Sequence, residues 1–105
     1  MTAAFEVLAE PTRRRILDLL RERPRSVSEL VDRLPTSQPG TSKHLRVLRD
    51  AGLVRVRHDA QRRWYELDTE PLVAVDAWLA PYRELWTRRL DAFEAHLDRE
   101  ARRDP

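Results

Sequence analysis

The 105-residue chain contains no cysteine. Disulfides and thiolate-bound metals are therefore excluded, and a reducing compartment is permitted. Only two glycines occur, Gly40 and Gly52, too few for a loop that cradles phosphates. No apolar run approaches the roughly 20 residues of a membrane-spanning helix. The opening M-T-A-A-F-E lacks the basic and apolar segments of a secretion signal, so a cytoplasmic protein without a membrane partner is expected. The three histidines, His44, His58 and His96, are scattered, whereas a transition-metal site needs three or four converging ligands; no metal and no cofactor are expected. Ser37, Ser42 and His44 lie close together, but no G-x-S-x-G elbow accompanies them. The abundant carboxylates sit among arginines at the spacing of solvated helical ion pairs. No enzyme is expected.

What the chain has is charge, 36% of its residues, in a pattern that a net +2 conceals. Residues 37–65 carry Lys43, Arg46, Arg49, Arg55, Arg57, Arg62 and Arg63 against Asp50 and Asp59, a net of +5. Residues 69–105 carry a net of −2. Such asymmetry points to a local surface for a polyanion. The apolar residues are too periodic for a disordered chain, and the length suits one domain spanning residues 1–105.

The central stretch is T-S-Q-P-G-T-S-K-H-L-R-V-L-R-D-A-G-L, residues 36–53. Ser37 is an N-cap candidate, Pro39 belongs in a first turn, and Gly52 suits a left-handed helix end. Between them Leu45 and Leu48 mark a buried side, while Gln38, Thr41, Ser42, Lys43 and Arg46 make the other side polar. Such a helix fits a DNA major groove. An ordinary amphipathic surface helix is the alternative. His44 either donates to a base or phosphate, or braces the helix against the domain.

The flanks sharpen this reading. Residues 3–9 read as a short helix with Phe5 and Leu8 on one side. A second helix starts at Pro11 or Thr12, repeats Ile16, Leu17 and Leu20, and ends before Pro24. Ser26 and Glu29 form a capping box opening a helix that stops before Pro35. Two helices joined by so few residues make a helix-turn-helix, about residues 26–51, whose second helix reads DNA. Val54 to Arg57 alternates as a strand, His58-Asp59-Ala60-Gln61 is a turn, and Arg62 to Leu67 is the return strand. This hairpin, about residues 54–67, is a wing with arginines near its tip. Residues 70–102 return to helix, broken or kinked at Pro81, and Arg99 to Pro105 reads as a frayed tail. Tyr82, Trp86, Leu90, Phe93 and Leu97 recur at helical steps over about residues 81–102. They exceed what a small domain needs for its own cover, so a second helix is expected to pack there. The fold class is mainly α with one β-hairpin.

The order of elements resembles the ArsR/SmtB family of winged-helix repressors, over nearly the whole chain. Three stretches carry the resemblance: L-A-E-P-T-R-R-R-I-L-D-L-L (8–20), S-K-H-L-R-V-L-R-D-A-G-L-V (42–54), which is the most specific, and R-R-W-Y-E-L (62–67). It implies a homodimer through the first and last helices, with Phe5, Leu8, Tyr82, Trp86, Leu90, Phe93 and Leu97 at the interface. It implies repression through an imperfect palindrome in double-stranded DNA, and hence a place at the nucleoid. By their match to the motif, Gln38, Thr41, Ser42 and Lys43 fall at the family's base-reading positions and Arg62 and Arg63 at its wing contacts; Ser37, His44 and Arg46 beside them are further candidates for contact with DNA.

Departures from the family pattern matter. The C-V-C of metal-sensing members is matched here by Ser26-Val27-Ser28, and the terminal helix offers His96 without a D-x-H pair. The wing turn lacks the usual glycine. A metal-independent repressor is expected; its operator, regulated genes and any small-molecule or protein effector are not legible. A protein-interaction module, or an architectural DNA binder, is the competing class.

Overall fold

The computed structural model describes residues 2–103 and divides the chain into two compact units, Met1–Val75 and Asp76–Pro105. The first unit holds α1 (Thr2–Leu8), α2 (Pro11–Glu22), α3 (Val27–Arg33), α4 (Gln38–Asp50), the hairpin strands β1 (Val54–Asp59) and β2 (Arg62–Leu67), and the start of α5 (Glu70–Arg103). In residues 76–103, the described part of the second unit, no side chain is buried. Among the described residues no helix is long and apolar enough to cross a membrane.

Each helix of the first unit starts and stops for a local chemical reason. Glu10 precedes α2 and its Oε2 accepts from Arg13 N at 3.0 Å, with Pro11 in the first turn. Ser26 Oγ accepts from Glu29 N at 3.3 Å, the expected half of the capping box. The Glu29 carboxylate turns to Arg23 instead, at 2.8 Å. Ser37 Oγ accepts from Gly40 N at 3.2 Å and opens α4. A side chain at Gly40 would meet Thr36 Oγ1 at 2.5 Å, so with any other residue there the Thr36 side chain or the loop would have to shift. At the other end Leu53 N donates to Leu48 O at 3.0 Å and Gly52 N to Arg49 O at 2.9 Å, with Gly52 at φ +77°. This is the two-bond left-handed helix stop, and the apolar pair that accompanies it, Leu48 and Leu53, is fully buried.

The core is one cluster built from Val7, Ile16, Leu17, Leu20, Leu30, Leu34, Leu45, Leu48, Leu53, Val54 and Tyr65. It lies where α2, α3 and α4 meet the base of the hairpin. Burying each large side chain here is worth about 1.5–3 kcal/mol.

The hairpin is longer than its alternation suggests. Pairing runs from Val54↔Leu67 to Asp59↔Arg62, leaving Ala60 and Gln61 as a two-residue loop. A two-residue hairpin loop needs positive φ, and with no glycine present Ala60 takes φ +55°. Arg25 pairs with Tyr65 as a third strand position, at 3.1 and 2.8 Å. Its side chain is only 3% exposed. Nε donates to Leu19 O at 3.1 Å and Nη2 to Glu22 Oε2 at 2.7 Å. One buried arginine thus satisfies an open carbonyl at the end of α2 and pins β2 to that helix.

The second unit continues α5, which runs unbroken through Pro81 to Arg103. Of the break or kink expected at Pro81, the break is not present. The ring removes one backbone donor but leaves the rest of a long ladder intact. Trp78 and Tyr82 stack at 4.8 Å, and Arg83 pairs with Asp76 two turns back. The frayed tail expected from Arg99 is helical as far as Arg103; Asp104 and Pro105 lie outside the described residues.

Candidate nucleic-acid interface

The phase of α4 separates its side chains into three sets. Thr41, Leu45 and Leu48 are buried. Gln38, Ser42, Arg46 and Arg49 recur at steps of four, four and three, so they share one exposed stripe. Lys43 is exposed beside that stripe, and Ser37 is exposed at the cap.

Thr41, expected among the DNA contacts, is 0% exposed. It stands four residues before Leu45 and seven before Leu48, which places it on the core side of the helix. Its Oγ1 has no hydrogen-bond partner. A buried hydroxyl without a partner is a cost, so Thr41→Val is expected to stabilise the chain by about 1 kcal/mol. Thermal unfolding checks this, and DNA affinity should stay unchanged. A large loss of affinity at equal stability would return Thr41 to the interface.

His44 faces the other way from the stripe. Its Nδ1 lies 3.9 Å from Glu10 Oε2, and its side chain is 25% exposed. That geometry favours bracing: His44 sits against the carboxylate that caps α2.

The hairpin divides its arginines between two faces. Cross-strand pairs put Arg55, Arg57, Asp59, Arg62, Trp64 and Glu66 on one face, and Val54, Val56, His58, Arg63, Tyr65 and Leu67 on the other. Arg62 and Arg63, adjacent in sequence, therefore point to opposite faces. Arg57 Nε donates to Glu66 Oε1 at 2.6 Å and also approaches Asp59 at 3.9 Å. Arg55 lies 3.7 Å from Glu66 and 4.0 Å from Asp68. Two of the seven cations counted in this stretch are thus neutralised within the hairpin. Among the described residues, Lys43, Arg46, Arg49, Arg62 and Arg63 make no ion pair.

The free cations cluster in space. Ser42, Arg46 and Arg49 of α4 and Arg63 and Tyr65 of β2 line one concavity of about 180 Å³. A wider concavity of about 410 Å³ lies at the start of α3, lined by Ser26, Val27, Ser28, Glu29, Arg62 and Arg63. It offers hydroxyls and one carboxylate where soft metals would need thiolates. Among the described residues no group of three metal-ligating side chains converges anywhere. Arg49 went unnoticed as a site residue in the sequence, although its spacing from Ser42 and Arg46 marks the same stripe.

Comparison with known proteins finds relatives among transcriptional regulators. A helix-turn-helix domain family matches residues 8–57. The chain is 40% identical over 97 residues to an HTH-type transcriptional regulator of Mycobacterium tuberculosis, covering 92% of this chain and 88% of that one. It is 30% identical to the transcriptional repressor SdpR of Bacillus subtilis, over 75% of this chain and 88% of the other. The crystal structure of an ArsR family transcriptional regulator superposes with a TM-score of 0.71 at 38% identity, covering 82% of this chain and 94% of that one. An ArsR-like regulator from Rhodococcus sp. gives 0.70 at 32% identity, over 88% and 87%.

Proposed function

Because the chain belongs to the ArsR family of winged helix-turn-helix transcriptional regulators, and is therefore a DNA-binding protein rather than an enzyme, we propose that it represses transcription as a metal-independent homodimer on an imperfect palindrome. The observation that carries this reading is the division of charge. Among the described residues the cations on the exposed side of α4 and at the wing tip have no acidic partner, while Arg55 and Arg57 are paired with carboxylates. A surface that must meet phosphates keeps its charges open.

In this reading Gln38, Ser42 and Lys43 on the N-terminal half of α4 read base edges, as the recognition helix of a helix-turn-helix does. Arg46, Arg62 and Arg63 meet the backbone, and Ser37 lies close enough to the groove to join them. Dimerisation uses α1, with Phe5 and Leu8, and the stripe Tyr82, Trp86, Leu90, Phe93 and Leu97 of α5, whose side chains are all exposed. Two-fold symmetry would put the two recognition helices about 34 Å apart, one turn of the duplex.

The donor set supports metal independence. Ser26 and Ser28 carry hydroxyls, and the chain has no thiol. Footprinting on the DNA upstream of the coding sequence is the test. A two-fold symmetric protected segment is expected, unchanged by stoichiometric zinc, cadmium or arsenite. An affinity loss of about tenfold with any of these, equal to roughly 1.4 kcal/mol, would reveal a metal site and overturn this part of the reading. Protection without sequence preference would favour architectural binding.

A further inference from the structure

The concavity between α4 and β2 is better organised than a general basic patch. Ser42, Arg46 and Arg49 approach it from one stripe of the helix, and Arg63 closes it from the strand, with Tyr65 lining it beside them. Tyr65 is buried and bonded through its backbone to Arg25 on both sides. Arg63, two residues away, therefore springs from a strand held in place. No carboxylate lines the concavity, and among the described residues none of the three arginine side chains makes an ion pair or hydrogen bond within the chain. Three arginines lining one hollow place like charges near each other, and among the described residues no acidic side chain pairs with any of them. Elsewhere on the same hairpin Arg57 is satisfied by Glu66 at 2.6 Å, so acidic partners were available to this fold. At about 180 Å³ the hollow is smaller than the roughly 300–1,000 Å³ of small-molecule sites. The planar guanidinium fork matches the oxygens of a phosphate group.

We propose that this hollow is a phosphodiester site, in which Arg46, Arg49 and Arg63 clamp one backbone phosphate of the duplex between the recognition helix and the wing. The assignment rests on the DNA-binding reading above and adds Arg49 to the interface. It also gives the wing a defined role. The DNA backbone that borders the groove beside α4 would seat one phosphate in the hollow, so that helix and wing grip the same point of the backbone. Such a contact carries no base information. It sets how deeply and at what angle α4 enters the groove.

Sharing one phosphate has a measurable signature. Each phosphate contact released lowers the slope of log affinity against log salt by about 0.9. Residues that hold one ligand together do not add independently. Affinity of the full chain for a random-sequence duplex is measured across a salt series. The variants are Arg49→Ala, Arg63→Ala, their double, Arg49→Lys, and Arg55→Ala as a control. Each single alanine is expected to cost about tenfold, as for a hydrogen bond to a charged group. The double should lose less than the product of the singles, with a slope lower by about one unit. Arg49→Lys should keep the slope while losing affinity, and Arg55→Ala should change neither. A double variant whose losses multiply, with a slope lower by about two units, would mean separate phosphates and overturn the shared clamp. Wild-type binding with Arg49→Ala unchanged would overturn the site while leaving the DNA-binding reading intact. Salt-independent or absent binding by the wild type would fail that reading itself. Inorganic phosphate is the last arm. If it raises the melting temperature of the wild type beyond chloride of equal ionic strength, and the alanine variants bind duplex normally, the hollow holds a free anion and the assignment falls.

Discussion

Replacing Trp86 and Phe93 together by glutamate is expected to convert a dimer into monomers, or into unfolded chains if the dimer is obligate. The two side chains are 61% and 59% exposed, seven residues apart on one side of α5. In line with Tyr82, Leu90 and Leu97 they form an apolar stripe that water covers poorly. Burying each against a symmetry mate is worth about 1.5–3 kcal/mol, and a two-fold axis counts every residue twice. Two glutamates per chain put four carboxylates into that interface, each costing several kcal/mol to desolvate. Sedimentation velocity at micromolar concentration reads the outcome. Operator affinity should fall by more than about a hundredfold, because a monomer binds one half-site and loses the effective concentration of the second. A wild-type chain that sediments as a monomer under the same conditions would remove the dimer from the proposed function.

The second large effect concerns sequence readout. Gln38 occupies the first position of α4 and Lys43 is exposed one turn on. Glutamine pairs with adenine and lysine with guanine in the major groove, each contact contributing about 1–3 kcal/mol of discrimination. Gln38→Ala and Lys43→Ala should therefore weaken operator binding well beyond their effect on scrambled duplex. Arg62→Ala with Arg63→Ala should weaken both alike and flatten the salt dependence by up to about two units. The two arginines point to opposite faces of the hairpin, so in the proposed reading each is assigned its own phosphate. Equal losses on operator and scrambled DNA from the helix substitutions would mean that α4 does not read bases. If none of the four substitutions alters DNA binding, the working surface lies elsewhere and a protein-interaction module becomes the better description.

The residues that begin and end the helices were readable without a structure. Ser26, Ser37, Pro39 and Gly52 act on groups within a few positions of themselves, so their effect is written in local spacing. The apolar phase of α4 was also readable, and it contained the correction for Thr41. That residue shares the phase of Leu45 and Leu48, and it entered the expected interface through its polar side chain and its match to the family motif. The hairpin was legible as alternation, but its turn was not. Reading four turn residues where the chain uses two shifts the pairing by two positions. The opposition of Arg55 to Glu66 then disappears from view.

The amino-acid sequence by itself determined the order of elements, their caps, the basic character of the helix-wing region and the family. These depend on contacts near in the chain or on motifs of fixed spacing. Only the tertiary structure decided which charges stay open. Arg55 and Arg57 are cancelled by carboxylates from a strand that the turn brings alongside. Arg25 is drawn inside because α2 ends with an open carbonyl beside β2. Arg46, Arg49 and Arg63 meet around one hollow because helix and wing are packed on the same core. Charge acts through space, and distances in space between residues far apart in sequence are set by packing.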